Sequence, residues 1–309
     1  MQFFQTTNID FIGKRKIAYI ISSTLILAGL VSLFFPGRPN FGIDFKGGTS
    51  IIVRFEKPVT PSEIRKALST INLGTSEIKR FATENEYLIY VTQQKEASAS
   101  VIAKRVEGAI SSTLSDKPYE ILQTDTIGPK IGEELRKKAV YATLISLILI
   151  LIYVGWRFEF VFAAGAVIAL FHDVMVTFGI CSILKLEISL KEVAAFLTII
   201  GFSINDTIVI FDRIRENFKI MRNEELDKII NVSMNQCLGR TIITSVTVFF
   251  VVLILLLFGG EVIRGFAFVM TIGVITGSYS TIYVASSLVL DWQSRHGGKQ
   301  VLKMSHRKK

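Results

Sequence analysis

The sequence predicts an α-helical membrane protein with six transmembrane helices and one α+β ferredoxin-like domain between the first two. Three observations support this fold class. Half of the 309 residues are hydrophobic, and the mean hydropathy is +0.46. The apolar residues form blocks that approach or exceed the ~18–20 residues that a helix needs to cross a bilayer. Between the first two blocks, residues 36–138 have an ordinary soluble composition.

The first apolar block, residues 17–35, follows a short N-terminal segment, residues 1–16, that ends in the basic triplet Lys14, Arg15 and Lys16. A cleaved signal peptide is the alternative interpretation of this block. No small-residue cleavage pattern follows it, and the block is long for a signal peptide. We therefore expect an uncleaved first transmembrane helix.

Strand and helix patterns alternate within residues 36–138. Thr60, Pro61 and Glu63 form a capping-box signature at the start of a helix. Residues 97–114 carry apolar side chains at helical spacing, and four β-rich runs read as strands: 50–55, 77–81, 87–92 and 118–123. The resulting order β-α-β-β-α-β is the ferredoxin-like pattern. Residues 124–138 are expected to form a linker to the next transmembrane helix.

Five further apolar blocks predict transmembrane helices 2–6 within residues 139–290, and residues 291–309 form a basic tail. The blocks are residues 139–156, 160–184, 193–211, 241–258 and 266–290. With six helices, both termini lie on one side of the membrane. Among the short segments that flank the helices, those on that side hold most of the basic residues, whereas the opposite short loops hold only Lys185, Lys191 and Arg264. The positive-inside rule therefore predicts cytoplasmic termini and a periplasmic domain in a bacterium.

A carboxylate lies inside the fourth predicted transmembrane helix. Asp206 is about 20 Å from the start of the block at residue 193, at ~1.5 Å per residue. A charge at that depth costs roughly 2.5–3.5 kcal/mol on insertion scales, so it normally has a function and a partner. Asp206 and Arg213 share a helix face, as do Asn205 and Asp212, which predicts a polar track toward the cytoplasm. The alternatives are a structural ion pair or hydrogen bond for Asp206, and simple interfacial residues for Asp212 and Arg213.

The third predicted helix carries His172 and Asp173 near its middle. Histidine is the side chain that titrates naturally near neutral pH. Two intramembrane carboxylates and an imidazole at similar depths are the components of a proton relay. The alternative is that His172 and Asp173 only hydrogen-bond neighbouring helices.

Small and hydroxylated residues line the last two predicted helices. Gly273 and Gly277 form a GxxxG step, and the fifth helix holds Thr241, Thr244, Ser245 and Thr247. Such residues allow helices to approach closely and to hydrogen-bond across their interface. Cys181 and Cys237 have no disulfide or metal-site spacing, so we interpret them as apolar filling.

Several classes of protein are excluded by the motifs. The net charge of +9 has no nucleic-acid-binding pattern with it, and its basic residues cluster at the ends of apolar blocks. There is no phosphate-binding loop, no HExxH motif, no metal-ligand cluster and no nucleophile–base constellation. We therefore expect no catalytic residue, no metal and no cofactor, and we expect energy to come from an ion gradient or from a partner.

Five motifs, in order along nearly the whole chain, resemble the SecF proteins of the SecD/SecF protein-export family, within the resistance-nodulation-division superfamily. The motifs are FGIDFKGGT at 41–49, IGPKIGEEL at 127–135, FHDV at 171–174, GFSINDTIVIFDRIREN at 201–217 and LGRTIITS at 238–245. The family has the same layout of six helices with one large external domain after the first helix.

The resemblance implies a subunit of the bacterial inner membrane that uses the proton-motive force to assist late steps of protein export. The implied partners are a SecD-like subunit, the SecYEG channel, the translocating polypeptide, the ATPase SecA through a functional link, and membrane lipids. Proton coupling is expected at Asp173, Asp206, Asp212 and Arg213, with support from His172, Asn205 and Arg240. Two other functions stay open: a half-size exporter of small molecules or lipids, and a passive scaffold of the translocon.

Overall fold

The computed structural model describes residues 7–295 except residues 37, 82 and 92–98. The predicted cytoplasmic segment is therefore described only from residue 7, and the basic tail from residue 296 lies outside the described residues. Within the described part, six helices are long and apolar enough to cross a membrane, which confirms the predicted count. We call the side of the membrane that carries the α/β domain the domain side and the other the termini side.

The elements follow in chain order. They are α1 (Arg15–Ser32), β1 (Asn40–Phe41), α2 (Ile43–Lys46), β2 (Gly48–Phe55), α3 (Pro61–Ser69), β3 (Glu77–Arg80), β4 (Glu86–Val91), α4 (Ala99–Thr113), β5 (Tyr119–Ile127), α5 (Pro129–Arg157), α6 (Phe160–Ile183), β6 (Glu187–Ile188), α7 (Leu190–Ile220), α8 (Leu226–Phe258), α9 (Gly260–Ser280) and α10 (Ser286–Arg295). A π-helical turn, Thr281–Ala285, joins α9 to α10, so that these three elements together form the sixth span.

The α/β domain has the predicted ferredoxin-like architecture. Its four-stranded antiparallel sheet has the order β3-β4-β2-β5, and α3 and α4 pack on one face of it. Buried Ile51 and Val53 of β2 meet Ile64 of α3 and Ile110 of α4 in this core. The capping box also forms, because the Glu63 amide donates to the Thr60 hydroxyl and the Glu63 carboxylate accepts from the Thr60 amide.

The structure corrects the predicted linker at residues 124–138. Strand β5 continues to Ile127 and α5 begins at Pro129, so regular structure runs through the segment. Proline suits the first helical position, where no amide donor is needed. The charged first turns of α5 then stay helical with support from the i,i+4 pairs Glu133–Lys137 and Glu134–Lys138.

Helices α7 and α8 are longer than their apolar blocks predict. They continue on the termini side as a polar hairpin, residues 212–240. Apolar side chains such as Ile214, Ile230 and Met234 are buried along it. The Asn217 amide also donates to the Ser233 hydroxyl at 2.8 Å, across the two helices. Contacts between α7 and α8 stabilise these extra helical turns. Hydropathy does not show such contacts, so the apolar blocks predict helices that are too short.

Glycines set the closest helix contacts in the bundle. A methyl group added at Gly29 of α1 would lie 2.7 Å from the Cα of Gly179 in α6, and one added at Gly273 of α9 would lie 2.0 Å from Ile199 of α7. Such close approach is the physical role of small residues in membrane helices. The predicted GxxxG step therefore packs α9 against α7, and the two cysteines are buried and unpaired by disulfide, as expected.

Candidate functional site

Asp173 lies near the middle of α6 and is 1% exposed. Its Oδ2 accepts hydrogen bonds from the Ser203 hydroxyl of α7 at 2.7 Å and the Ser280 hydroxyl of α9 at 2.8 Å. Its Oδ1 lies 3.0 Å from Nδ1 of His172. Three polar contacts from three helices thus converge on one buried carboxyl group.

His172 connects this carboxyl group to the first helix. The imidazole is 5% exposed, and its Nε2 lies 2.9 Å from the Ser22 hydroxyl of α1. The ring stacks at 6.1 Å on Tyr279 of α9, whose hydroxyl donates to the backbone oxygen of Ala18. We call His172, Asp173, Ser22, Ser203, Tyr279 and Ser280 the Asp173 cluster.

The hydrogen bonds of the Asp173 cluster join α1, α6, α7 and α9. An ionised carboxylate only accepts, which suits the hydroxyl donors around Asp173, whereas a protonated one must also donate. Hydroxyl groups rotate to suit either case.

The π-helical turn Thr281–Ala285 follows Ser280 directly. The Thr281 hydroxyl lies 3.1 Å from the Thr207 hydroxyl of α7, and the Ser286 hydroxyl donates to the backbone oxygen of Thr281. Single π turns inside α-helices are rare and frequently occur at functional sites. Here the irregular turn adjoins the Asp173 cluster and contacts α7 one residue after Asp206.

Asp206 occupies a second buried site, between α7 and α8. It is 2% exposed, and the Thr244 hydroxyl lies 3.3 and 3.4 Å from its two carboxylate oxygens. Ser245 also faces this carboxylate, and the guanidinium group of Arg240 interacts with it electrostatically without forming a salt bridge in the described structure. The cation that acts on the Asp206 carboxylate is thus Arg240 of α8.

Among the described residues, Asp206 and Arg213 share no hydrogen bond or salt bridge. Arg213 donates to Gln236 at 2.6 Å and pairs with Glu216 at 2.8 Å. Seven helical residues rise about 10.5 Å, too far for direct contact between side chains that point sideways. Asp212 pairs instead with Arg157, at 3.4 Å on the exposed termini side. Among the described residues, neither Arg213 nor Asp212 bonds directly to Asp173 or Asp206.

Exposed polar and small residues lie around exposed Ile243 on the α7–α8 surface beside Asp206. Thr198, Gly201 and Asn205 of α7 are exposed, as are Arg240 and Thr247 of α8. We call these five residues the α7–α8 polar face. Polar side chains at membrane depth normally face protein or water rather than lipid. The face therefore indicates a surface that packs against another protein.

Sequence reasoning missed Ser22, Ser203, Tyr279 and Ser280. A signal was present in the hydroxyl-rich run GSYSTIYVASS at residues 277–287. The run shows polarity but not which other helix it faces, because that depends on how the helices are rotated against each other. No group of three His, Cys, Asp or Glu side chains in the described residues could hold a metal ion.

Two family models match separate parts of the chain, and curated relatives match nearly all of it. Residues 106–295 match the family described as protein export membrane protein SecD/SecF, C-terminal, and residues 31–59 match the SecD/SecF GG motif. The chain is 41% identical over 309 residues to the protein translocase subunit SecF of Rhodothermus marinus, covering 98% of this chain and 99% of the relative. It is 46% identical over 290 residues to that of Magnetococcus marinus, covering 93% of each.

Two solved structures have the same fold. SecDF of Thermus thermophilus, a translocon-associated membrane protein, is 36% identical with a TM-score of 0.83, and it covers 93% of this chain. SecDF in a super-membrane-facing form is 37% identical with a TM-score of 0.71 over 98% of this chain. This chain spans only 39% and 41% of those SecDF chains.

Proposed function

The chain belongs to the SecF proteins of the SecD/SecF family, subunits of the protein translocase, and from this premise we propose that it uses the proton-motive force to assist late steps of protein export across the bacterial inner membrane. In this proposal the chain has no hydrolytic site of its own and binds no cofactor. Protons are the ions whose movement across the membrane drives its work. The termini are cytoplasmic and the α/β domain is periplasmic, in agreement with the distribution of basic residues.

The proposed partner in the membrane is a SecD-like subunit. The SecDF chains carry well over half of their length outside the part that this chain matches. The α7–α8 polar face is the surface of this chain that needs a protein partner at membrane depth. Through that partner the subunit would work with the SecYEG channel on a translocating polypeptide, after the ATPase SecA has acted, and surrounded by membrane lipids.

The burial of Asp206 beside the α7–α8 polar face is the observation on which the proposal rests. Hydroxyl groups and a nearby but unbonded Arg240 surround the carboxylate, so no salt bridge among the described residues fixes its charge. A proton from the periplasm would reach Asp206 at the interface with the partner. Neutralising the carboxylate removes its attraction to Arg240 and changes which helix packing is favoured.

The Asp173 cluster is the proposed second element of the proton path. Ser203 binds Asp173 one turn before Asp206 and Thr207 on the same helix, so a shift of α7 affects both buried carboxyl groups. One elementary charge crossing 100 mV releases about 2.3 kcal/mol. That energy is enough to bias an equilibrium between two helix packings by tens-fold.

The variant Asp206→Asn tests this proposal because asparagine keeps the shape of the side chain but cannot gain or lose a proton. Export of a periplasmic reporter would be measured with and without a proton uncoupler, while the assembled complex is quantified by immunoblotting. We expect slow export that no longer responds to the uncoupler, at normal complex abundance. Asp227→Asn, at an exposed site at the start of α8, is the matched control. Normal export in Asp206→Asn would contradict the proposal.

The same experiment separates the two other functions. A passive scaffold predicts that export falls only as the complex disappears. A small-molecule exporter predicts a roomy apolar pocket in the α/β domain. One cleft in the described part of the domain is lined by Glu107, Ser111 and Lys117 as well as by Leu114, Tyr119 and Ile121, so it is not the apolar pocket that an exporter predicts.

A further inference from the structure

The α/β domain is joined to the helix bundle by two chain connections, and both contain glycine. Gly47 and Gly48 precede β2 with φ of 71° and 144°, in the left-handed region that favours glycine. Gly128 lies between β5 and α5, and a methyl group added there would meet nothing within 4 Å. Gly48 and Ile127 are register partners in the sheet, so the two connections run side by side.

The chain before these glycines is fixed to the bundle. Phe45 of α2 is 6% exposed and packs in a cluster with Ile188 and Phe196. Strand β1 pairs in parallel with β6, and the Gly42 amide donates to the Ile188 oxygen at 2.8 Å. The Asp44 carboxylate accepts from the Leu190 amide at the start of α7. These contacts hold residues 40–46 against α6, α7 and the loop between them, so we expect the segment to move with those helices.

The chain after the second connection is also close to this anchor. A methyl group added at Gly132 of α5 would lie 3.0 Å from the backbone of Phe45 and of Gly47. Helix α5 and α2 thus pack backbone to backbone. Rotation of the domain against the bundle is easiest at Gly47, Gly48 and Gly128, because glycine has the freest backbone. The Tyr90 hydroxyl of β4 donates to the Gly47 oxygen and spans the first of these connections.

An exposed ion pair holds the domain to the α6–α7 loop. Lys79 of β3 contacts Glu187 of β6 at 2.8 Å and Glu77 at 3.0 Å, and both Lys79 and Glu187 have side chains 39% exposed. Burial opposes the charge on Lys79, but hydrogen bonds and attraction to Glu187 and Glu77 outweigh it and raise the lysine pKa. The ammonium group of Lys79 therefore stays charged at neutral pH. Exposed ion pairs are weak and are screened by salt, so such a contact can break and form again.

We propose that Lys79 and Glu187 form a releasable latch, and that residues 48–127 swing as one body about Gly47, Gly48 and Gly128. Glu187 lies in the short loop between α6 and α7, the helices that carry Asp173 and Asp206. A shift of either helix moves Glu187 and so strains or opens the latch. This inference rests on the proposed function, because it supplies the step from proton-dependent helix movement to movement of the domain.

Distance measurements between spin labels test the hinge in the full chain with its partner. Labels at exposed Thr113 of α4 and exposed Val262 of α9 would report the orientation of the domain, with Cys181 and Cys237 replaced by alanine. We expect Glu187→Gln to broaden the distance distribution and Gly128→Pro to narrow it. Gly128 has φ of −66° and ψ of 147°, which proline adopts without strain. Unchanged distributions in both variants would overturn the hinge.

Charge exchange tests the latch in cells. Lys79→Glu and Glu187→Lys singly are expected to slow export by about two- to fivefold, the range for a weak exposed ion pair, at normal complex abundance. The double exchange should restore it when Glu77→Gln removes the second carboxylate beside residue 79, and Lys79→Arg alone should export normally. A purely structural role predicts instead that abundance and export fall together. Failure of the exchange to rescue would overturn the latch.

One result separates this proposal from the proposed function. If Asp206→Asn loses its response to the uncoupler while the latch variants export normally, proton coupling stands and the latch is wrong. Gly108→Ala, at an open glycine of α4 away from the hinge, is the control for glycine replacement and should leave the distance distribution unchanged.

Discussion

At the scale of single residues, the number of donors around Asp173 matters most. A buried carboxylate with too few hydrogen-bond donors loses the interactions that replace its hydration. Ser203 and Ser280 bind the same oxygen, Oδ2, and they come from different helices. Each hydroxyl therefore supports both the charge and the packing of the bundle.

Ser280→Ala should destabilise the protein by ~1–3 kcal/mol, because it leaves a buried acceptor without one of its donors. The control is Ser278→Ala on the same helix, where the hydroxyl donates to Ser245 and not to a carboxylate. Unfolding of the purified protein in detergent would be followed by circular dichroism. Equal stability of the two variants would show that the Ser280 hydroxyl does not support Asp173.

Glu63 gives the α/β domain a pH-dependent contribution to stability. A hydrogen bond from Lys117, followed by bonds from the Thr60 amide and hydroxyl, lowers its pKa to about 2. A carboxyl group with a lowered pKa in the folded state stabilises the fold above its unfolded pKa and loses that effect as the pH falls through the folded pKa. The stabilisation is thus complete at neutral pH and disappears between roughly pH 4.5 and pH 2.

Glu63→Gln should therefore lower the thermal midpoint of the α/β domain at pH 7, and the difference from the unmodified protein should shrink below about pH 4.5. Differential scanning calorimetry of the full chain in nanodiscs would measure both midpoints. Glu56→Gln is the control, since Glu56 is exposed and caps no helix. A difference that stays constant between pH 7 and pH 3 would contradict the assigned role of Glu63.

At the scale of elements, the contact between α1 and α6 depends on two glycines. Gly29 and Gly179 allow the backbones to touch, and the Ser32 hydroxyl donates to the Ser182 hydroxyl at 2.7 Å one turn away. This contact holds α1, which carries Ser22, against α6, which carries His172. Its tightness sets the distance between those two side chains.

Gly29→Ala should cost ~1–3 kcal/mol, as overpacking does, because the new methyl group would lie 2.7 Å from backbone that cannot rotate away. Gly155→Ala on α5 is the control, since a methyl group there meets only Ala163 at 3.8 Å. Unfolding in detergent would compare the two variants. A stability loss of equal size at both positions would mean that close packing of α1 on α6 is not the cause.

At the scale of the whole molecule, one side of the helix bundle exposes polar side chains at membrane depth. The α7–α8 polar face brings Gly201, Asn205 and Arg240 to the surface within a membrane-spanning region. Helix α5 is also exposed over most of its length, but its exposed side chains, such as Leu144 and Ile148, are apolar and suit lipid. We therefore expect the α7–α8 polar face to contact protein and the exposed side of α5 to contact lipid.

Gly201→Leu should leave the isolated chain folded, because Gly201 is exposed and nothing lies within 4 Å of a Cβ atom placed there, and it should prevent packing of a SecD-like partner. Copurification of the two subunits would measure the effect, and we expect loss of most of the complex. Gly155→Leu, at an exposed position on α5, should leave the complex intact. Normal copurification of Gly201→Leu would place the partner on another surface.

The sequence alone determined the elements, since their signals are local. Hydropathy over about 18–20 residues reports a membrane span, and Thr60, Pro61 and Glu63 report a helix start through contacts within one turn. The order of strands and helices then indicated the sheet topology. Asp173 and Asp206 were also evident, because a charge in an apolar block needs no knowledge of neighbours to be noticed.

Only the tertiary structure decided which side chains surround those charges. Arg240 rather than Arg213 lies beside Asp206, and four residues from three other helices complete the Asp173 cluster. The reason is that helix rotation and crossing depend on packing summed over the whole bundle, whereas residue spacing constrains neighbours only along one helix. The pairing of β1 with β6, and with it the latch, arises in the same way from segments more than a hundred residues apart.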